Sequence, residues 1–268
     1  MIYGFTDCHK YIKIKHMKTI TLALQKGGTG KTSMSVTLAA ELAKHGKTLL
    51  IDADPQGNAT TWIKGGSITA ELADILNDKA ETKEVLQTTC IKDLYILPTA
   101  GLGGDLRTFQ KEKANNKPFA MMNAIEPIQS FFDYCIIDTS PNFDTLNISA
   151  FMASDEIIAV LQFNEFSKDG LQIFLDNLTT TRKDWRISND KAVLNKIILN
   201  AKDERIKQQE NILQTFKQLE AGGYSLFVVP VDQAFNKAQA MHTSIQDLAG
   251  TKKETLQAIG EIVKAVML

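Results

Sequence analysis

The sequence predicts a single α/β domain in which a mainly parallel, twisted sheet carries helices on both faces. Short apolar runs with almost no polar alternation occur along the chain, and longer segments with helical periodicity lie between them. Strands that are covered on both faces lack polar alternation, and strand–helix alternation is typical of a parallel sheet. The 268 residues suffice for one large domain, and no repeat or Pro-, Gly- or Ser-rich linker divides them.

Seven segments are predicted to be strands because each is a short, predominantly apolar run. They are Thr19–Leu24, Thr48–Ile51, Leu94–Leu97, Tyr134–Ile137, Glu156–Leu161, Lys196–Leu199 and Leu226–Val229. Five segments have helical patterning: Thr32–His45, Pro118–Phe132, Ser167–Arg182, Glu204–Leu219 and Thr251–Leu268. The alternation of the two sets predicts one domain over residues 17–268.

The first 16 residues precede a second methionine, Met17, where the strong patterning begins. We interpret residues 1–16 as a loosely ordered extension; an additional edge strand at the run YIKIK (11–15) is the alternative. The extension contains lysines but no continuous apolar stretch and no small-residue cleavage site, so it does not resemble a signal peptide. No apolar run approaches the ~20 residues that a membrane helix needs.

The composition excludes several classes of protein. With 44% hydrophobic and 23% charged residues, the chain has the composition of a globular protein rather than of a disordered or fibrous one. The net charge of −1 argues against a uniformly basic nucleic-acid coat but leaves room for a local basic patch. Cys8, Cys90 and Cys135 are far apart, so they form neither a disulfide framework nor a CxxC metal pair, and they fit a reducing cytosol.

The most informative motif is a glycine-rich loop between the first strand and the first helix. The loop reads Lys26-Gly27-Gly28-Thr29-Gly30-Lys31-Thr32-Ser33. Glycines let backbone N–H groups converge on phosphate oxygens, and the following helix N-terminus adds partial positive charge. Lys31 can reach the β- and γ-phosphates, and the Thr32 hydroxyl can ligate Mg²⁺. The loop therefore predicts a nucleoside triphosphate site; a plain glycine-rich turn is the alternative that the strand–loop–helix context disfavours.

Acidic residues follow two of the predicted strands. Asp52 and Asp54 come after the second strand, and Asp138 ends the apolar run Tyr134–Ile137. Ligands collect at the carboxyl ends of strands in a doubly wound sheet. We expect Asp138 to bind Mg²⁺ directly or through water. The alternative is that these acids only cap a turn or a helix.

The segments KGGTGKTS and DADPQGNAT resemble the deviant Walker A loop and the acidic segment of the ParA/MinD family of ATPases, although Gln25 stands where the usual phosphate loop has its first glycine. The resemblance implies that Lys26 reaches across a dimer interface to the partner's nucleotide. It implies that Asp54 positions or polarises the attacking water and contacts the metal shell, and that Asp52 supports the Mg²⁺ hydration shell less directly. After Asp138 the chain departs from the family, because residues 139–141 read Thr-Ser-Pro where the family has a small residue and two prolines.

The same resemblance suggests an adenine pocket and thus ATP rather than GTP. Asn200 ends the run KIILN, where the family often places an amide against the base, and Pro230 begins the loop that closes over the ring. Ordinary strand termination is the alternative for both residues. Residues 231–236 depart from the family's usual charged stretch.

The segment from Arg182 to Lys217 contains nine basic and five acidic residues, in a chain whose net charge is −1. In ParA-like proteins a basic surface of the dimer binds DNA without sequence preference, through phosphate contacts. The segment is a candidate for part of such a surface. Because acids are interleaved with the basic residues, solvated helix faces are the alternative.

As a whole, the resemblance implies a cytoplasmic, nucleoid-associated partition ATPase. ATP with Mg²⁺ would join two chains into a homodimer, the dimer would bind DNA, and a ParB-like centromere-binding partner would stimulate hydrolysis. The rival is a MinD-like, membrane-associated positioning ATPase. The last helix carries few basic residues beside its apolar face, which favours docking on the sheet and no membrane partner. A reductase or metal-cluster carrier of the same fold would need cysteines that pair across a dimer, and the positions of Cys90 and Cys135 disfavour it.

Overall fold

The computed structural model describes residues 16–64, 67–164, 167–203 and 205–268. The predicted extension and its alternative strand at 11–15 lie outside the described residues, apart from His16. The exposed His16 ring places Nε2 3.1 Å from the Asp155 carboxylate.

The described residues form one eight-stranded sheet with the order β3-β4-β2-β5-β1-β6-β7-β8. Every neighbouring pair is parallel except β3 and β4 at one edge, which are antiparallel. The strands are β1 (Lys18–Ala23), β2 (Thr48–Ala53), β3 (Gln87–Thr88), β4 (Leu94–Leu97), β5 (Tyr134–Thr139), β6 (Glu156–Gln162), β7 (Val193–Lys202) and β8 (Ser225–Pro230). All seven predicted strands are confirmed, and the sheet contains one further strand, the two-residue β3, that was not predicted.

Helices connect the strands. The helices are α1 (Lys31–Leu42), α2 (Asn58–Lys64), α3 (Leu72–Leu76), α4 (Thr82–Val85), α5 (Leu106–Thr108), α6 (Ala120–Ile125), α7 (Thr145–Ala153), α8 (Ser167–Asp184), α9 (Gln208–Lys217), α10 (Ala234–Ala240) and α11 (Lys253–Met267). Four of them, α1, α8, α9 and α11, confirm predicted segments with somewhat different ends. The predicted helix at 118–132 is split into α6 and a 3₁₀ segment, Glu126–Phe131. Pro127 has no N–H to continue the α-helical ladder.

Helices cover both faces of the sheet. On β5, Ile136 packs into a core shared with α1, α2, α10 and α11, whereas Cys135 and Ile137 pack into the core under α3, α6 and α7. On the same second face, α8 and α9 cover β6 and β7. Both faces of the central strands are therefore buried, which is why their sequences lack alternation. The predicted fold class is confirmed.

The centre of the sheet is a topological switch point. β1 lies between β5 and β6, with β2, β4 and β3 beyond β5 and with β7 and β8 beyond β6. In such sheets ligands bind outside the carboxyl ends of the strands where the order reverses. The glycine-rich loop leaves β1 at this point. Asp52 on β2 pairs in register with Asp138 on β5, so the two acidic strand ends are adjacent.

The last helix packs on the sheet, as predicted. α11 contacts β8 and α1, and its residues Ile259, Val263 and Val266 are buried. Glu261 and Lys264 face solvent on the opposite side. Within the described ranges, no helix combines the length and the apolar character needed to cross a membrane.

Candidate nucleotide-binding site

The glycine-rich loop uses backbone conformations that favour glycine. Gly28 and Gly30 have positive φ angles of 72° and 92°. An added Cβ at Gly30 would lie 2.0 Å from Asn200 Nδ2, so the Asn200 amide would have to move away from the loop. α1 begins directly afterwards at Lys31, so the loop leads into the N-terminus of a 12-residue helix. The positive φ favours glycine at position 30, and glycine also leaves room for the Asn200 amide against the loop.

Two amide side chains hold the carbonyls of the loop. Gln162 Nε2 at the end of β6 donates to the Gly28 carbonyl, and Asn200 Nδ2 on β7 donates to the Thr29 carbonyl at 2.9 Å. In a trans peptide the C=O and the following N–H point in opposite directions. The N–H groups of Thr29 and Gly30 are therefore directed away from the ends of β6 and β7, and the loop is ordered as an anion-binding turn.

Lys31 is a buried lysine inside the loop. Its side chain is 6% exposed, and Nζ donates to the Lys26 carbonyl at 3.0 Å. Burial lowers the pKa of Lys31, and the charges of Asp138 and Asp54 oppose that shift. The ammonium is thus held in a desolvated place where a phosphate group would be a strong counter-charge.

The second lysine of the loop, Lys26, is half-buried. Its Nζ donates to Asn164 Oδ1 at 3.1 Å, and the Ser167 hydroxyl donates to the same oxygen at 3.0 Å. Within one chain the Lys26 ammonium is therefore placed beside the segment that follows β6. Its predicted contact with a partner's nucleotide stays a prediction.

Asp138 has one carboxylate oxygen in use and one open. The residue is fully buried; Ser35 Oγ donates to Oδ1 at 2.8 Å, while Oδ2 has no hydrogen-bond partner among the residues that the structure describes. Burial raises the pKa of Asp138 to about 6, and the Ser35 and Thr32 hydroxyls oppose the shift. A buried, unpartnered carboxylate oxygen is the ligand that a hard cation such as Mg²⁺ takes.

Asp52 has its oxygens engaged instead. Thr60 donates to Oδ2 twice, from its N–H at 2.8 Å and its hydroxyl at 2.7 Å, and the Asp54 N–H lies 3.4 Å from Oδ1. Burial, together with the nearby charge of Asp138, raises the pKa of Asp52 to about 8, and the hydrogen bonds from Thr60 oppose the shift. The side chain ties the end of β2 to α2. Its less direct support of the Mg²⁺ hydration shell, which the resemblance implied, stays a prediction.

Asp54 lies in a tight turn just after β2. The side chain is 8% exposed, the Gln56 N–H donates to its Oδ1 at 2.9 Å, and the Gly57 N–H donates to its carbonyl at 2.9 Å. The turn holds Asp54 beside Lys31 and Asp138, whose pKa values both respond to its charge. The structure thus brings these three predicted residues together.

Mg²⁺ fits this site only if the nucleotide supplies ligands too. Among the described residues, no group of three His, Cys, Asp or Glu side chains is arranged to hold a metal. Thr32 and Ser33 lie half-exposed in the first turn of α1, and Asp138 supplies one open oxygen. Mg²⁺ is commonly bound by one or two carboxylates together with substrate phosphates and water. The residues present match that pattern.

The two residues predicted for the adenine pocket lie in different surroundings. Asn200 lies against the loop and its amide donates to Thr29. Pro230, at the end of β8, lines a cavity of about 750 Å³ together with Lys202, Val231 and Gln233. None of the described residues that line this cavity belongs to the glycine-rich loop.

Sequence reasoning missed three polar side chains of the site. Ser35 lies one turn after Lys31 on α1, so its place on the same helix face was a detectable signal. Thr60 lies within the DADPQGNAT segment but its link to Asp52 depends on the fold. Gln162 reaches the loop from a strand far away in the sequence, and no local signal marked it.

Comparisons with known proteins identify the family. The AAA_31 family, described as an AAA domain, matches residues 17–192, a stretch that contains the loop, Asp54 and Asp138. The sporulation initiation inhibitor protein Soj of Bacillus subtilis is 31% identical over 205 residues, which cover 75% of this chain and 79% of Soj. The chain belongs to the ParA/MinD family of P-loop ATPases. As a ParA-like ATPase it is a nucleotide hydrolase.

Solved structures share the fold of this ParA-like chain. A variant of McdA from Cyanothece, in complex with ATP, superimposes with a TM-score of 0.81 at 20% identity, covering 94% of this chain and 97% of that one. MinD of Pyrococcus horikoshii, complexed with Mg-ADP, has a TM-score of 0.73 at 18% identity and covers 93% and 96%. At these identities the likeness concerns the fold, and both relatives hold an adenine nucleotide.

Proposed function

We propose that this ParA-like ATPase is a DNA partition protein. ATP with Mg²⁺ binds in the glycine-rich loop and brings two chains together, and the dimer binds DNA without sequence preference. A ParB-like centromere-binding partner stimulates hydrolysis and releases the dimer from the nucleoid. The observation that carries the proposal is the position of Lys31, buried at the loop between the charges of Asp54 and Asp138.

The proposed chemistry is attack of water on the γ-phosphate. Lys31 and the loop N–H groups neutralise the phosphate oxygens, on which charge develops during transfer. Thr32 and the open oxygen of Asp138 hold Mg²⁺, which supplies electrostatic stabilisation of that charge. Asp54 orients the attacking water, and Lys26 of the second chain adds a further positive charge.

The base and the DNA are assigned to two other parts of the chain. We place adenine near Asn200 and Pro230, which rests on the resemblance. Within the basic segment five cations are engaged by protein groups, Arg182, Lys191, Lys196, Lys202 and Arg205. The other four are exposed: Lys183, Arg186, Lys207 and Lys217. These four are the better candidates for phosphate contacts.

The nucleotide site is tested first. Lys31→Ala should abolish ATP binding because the phosphates lose their buried counter-charge, whereas Lys44→Ala, which removes an exposed helix-end lysine, should bind normally. Equilibrium binding of a fluorescent ATP analogue measures both. Unchanged affinity in Lys31→Ala would refute the site.

Dimerisation is tested by gel filtration with light scattering, with and without ATP and Mg²⁺. The chain should be a monomer alone and a dimer with both. Lys26→Ala should bind ATP yet remain monomeric, because the variant loses only the proposed contact of Lys26 with the nucleotide of the second chain. A dimer of equal strength in Lys26→Ala would contradict the proposed role of Lys26.

DNA binding is tested by retardation of two unrelated duplexes over a range of salt concentrations. Binding should need ATP, ignore sequence and weaken with salt. Combined alanine substitution of Lys183, Arg186, Lys207 and Lys217 should weaken it strongly. The matched control replaces Lys79, Lys83, Lys111 and Lys113, which are also exposed. Salt-insensitive binding, or none with ATP, would contradict the partition function.

The rival function is a MinD-like positioning ATPase at a membrane, whose fold this chain shares. The apolar face of α11 is buried against β8 and α1, so that face is not open to lipid. Co-sedimentation with anionic vesicles in the presence of ATP separates the two functions. Recovery of the protein in the vesicle pellet would favour the rival.

We also propose that the ATPase domain comprises residues 17–268. A chain that begins at Met17 should then match the full chain in ATP hydrolysis, and a loss of activity would assign a role to residues 1–16.

A further inference from the structure

We propose that Glu71 is a positioning residue for ATP hydrolysis, which acts on Asp54 through the loop that follows β4. This inference rests on the proposed function, in which Asp54 orients the attacking water. Glu71 is a carboxylate only 7% exposed, it immediately precedes α3, and it belongs to no motif of the nucleotide site. The loop in question, residues 100–105, is called the β4 loop below.

Glu71 fastens both ends of the β4 loop. Its Oε2 accepts the Ala100 N–H at 2.7 Å, and its Oε1 accepts the Asp105 N–H at 2.5 Å. The carboxylate also fills the space inside the loop, because a Cβ added to Gly104 would lie 2.5 Å from Oε2. A buried acceptor with two backbone donors is a strong local clamp, since releasing either donor would leave a buried polar group unpaired.

The β4 loop in turn packs against the turn that carries Asp54. Gly57 and Gly101 have positive φ angles of 67° and 70°, and their backbones approach closely. A Cβ on Gly57 would lie 2.9 Å from the Gly101 Cα, and a Cβ on Gly101 would lie 3.1 Å from the Gln56 carbonyl oxygen. The two loops are therefore in backbone-to-backbone contact, and one cannot shift without displacing the other.

The last link runs from this contact to the Asp54 carboxylate. The Gln56 N–H donates to Asp54 Oδ1, and the Gly57 N–H donates to the Asp54 carbonyl, both at 2.9 Å. The Gln56–Gly57 peptide, which touches the β4 loop, thus donates to the Asp54 carbonyl, and the peptide just before it donates to the Asp54 carboxylate. Because none of these groups belongs to the phosphate loop, losing the Glu71 clamp should impair the attack step and leave ATP binding intact.

The test is the steady-state kinetics of Glu71→Gln in the full chain. The amide keeps the size of the side chain but turns an NH₂ group toward one of the two N–H donors. We expect kcat to fall about 10-fold or more, with KM for ATP within about twofold of wild type. The matched control is Asp74→Asn. Asp74 Oδ2 accepts the Glu71 N–H at 2.9 Å, so this change perturbs the same helix start but leaves the clamp in place, and kcat should stay within about twofold.

A second variant disrupts the clamp by a substitution in the β4 loop instead of at Glu71. Gly104 has φ of −93°, which alanine adopts without strain, but the methyl group of Gly104→Ala would overlap with the Glu71 carboxylate at 2.5 Å and with the Ala100 Cβ at 2.8 Å, and so would displace the clamp. The same selective loss of kcat is expected. In an Asp54→Ala background, neither substitution should lower kcat further, because the group that they position is already absent.

Wild-type kcat in either folded variant would overturn the inference, as would a further loss in the Asp54→Ala background. Thermal unfolding followed by circular dichroism identifies which variants are folded. The result for Asp54→Ala alone distinguishes a failure of the proposed function from a failure of the role assigned to Glu71. If Asp54→Ala hydrolyses ATP at the wild-type rate, the catalytic part of the proposed function fails; if it is slow while the clamp variants are normal, only the role of Glu71 fails.

Discussion

Asp52 and Asp138 lie side by side in register on β2 and β5, both fully buried, yet their surroundings differ. Asp52 Oδ2 receives two hydrogen bonds from Thr60, whereas Asp138 Oδ2 has none from the residues that the structure describes. Burial raises both pKa values, that of Asp52 to about 8 and that of Asp138 to about 6. Two acids that each follow an apolar run in the sequence thus differ in their contacts: Asp52 joins β2 to α2, and Asp138 has one oxygen that no described residue engages.

The largest expected effect is that of Asp138→Asn. The amide can still accept a hydrogen bond from Ser35, but it no longer carries charge to bind Mg²⁺. Mg²⁺-dependent turnover should fall about 10²- to 10³-fold, whereas the free energy of unfolding without nucleotide should not decrease, because a buried charge is removed. ATPase assays and urea titrations measure the two quantities. Wild-type turnover in this variant would show that Asp138 is not needed to bind Mg²⁺, as is expected of Asp52.

The next effect is that of Asp54→Ala. The variant should still bind ATP and dimerise, because Lys31 and the loop are untouched. Hydrolysis should slow about 10²-fold, a barrier increase of about 3 kcal/mol. Single-turnover hydrolysis alongside light scattering separates the two properties, and a variant that fails to dimerise would show that Asp54 acts in assembly instead.

A small effect is expected for Asp52→Asn. Asp52 is largely protonated at neutral pH, and the amide oxygen can accept both hydrogen bonds from Thr60. Turnover should stay within about threefold of wild type in the same ATPase assay. A loss as large as that of Asp138→Asn would show that Asp52 also acts on the metal or the phosphates.

A further comparison of Asp52 with its amide variant concerns pH and stability rather than turnover. A carboxyl whose pKa is about 4 in the unfolded chain and about 8 in the folded one binds more protons when folded, so the free energy of unfolding falls as the pH rises from 4 to 8. We expect a decrease on the order of a few kcal/mol in the wild type and a smaller one in Asp52→Asn. Urea unfolding at several pH values without Mg²⁺ measures it. Parallel curves for the two proteins would show that Asp52 is charged in the folded chain.

Much of the fold could be predicted because strands that are buried on both faces appear in the sequence as short apolar runs without polar alternation. The seven strands are apolar runs, and helices such as α1 and α8 are long enough to show their period. α3, α4 and α5 have five residues or fewer, too short for a period to be visible, and the two-residue β3 depends on pairing with β4. α2 and α7 follow directly on the acidic motifs and do not stand out as separate segments.

The candidate site could be predicted where its chemistry is local. Lys31, Asp54 and Asp138 each belong to a short motif, and the structure brings them together. Other contacts of the site are made across long separations in the chain, such as the one from Ser35 to Asp138 and the one between Glu71 and the loop after β4. Such contacts are determined by strand order, which a single sequence does not display.

Gln162 and Asn200 each donate a hydrogen bond to a carbonyl of the glycine-rich loop. A loop whose conformation is fixed by the protein's own contacts loses little conformational entropy on binding, so more of the contact energy is expressed as affinity. Those amides come from β6 and β7, on one side of β1, whereas the acids come from β2 and β5 on the other. A triphosphate at this position would contact residues on both sides of β1. Loss of its γ-phosphate would therefore change contacts in both halves of the sheet.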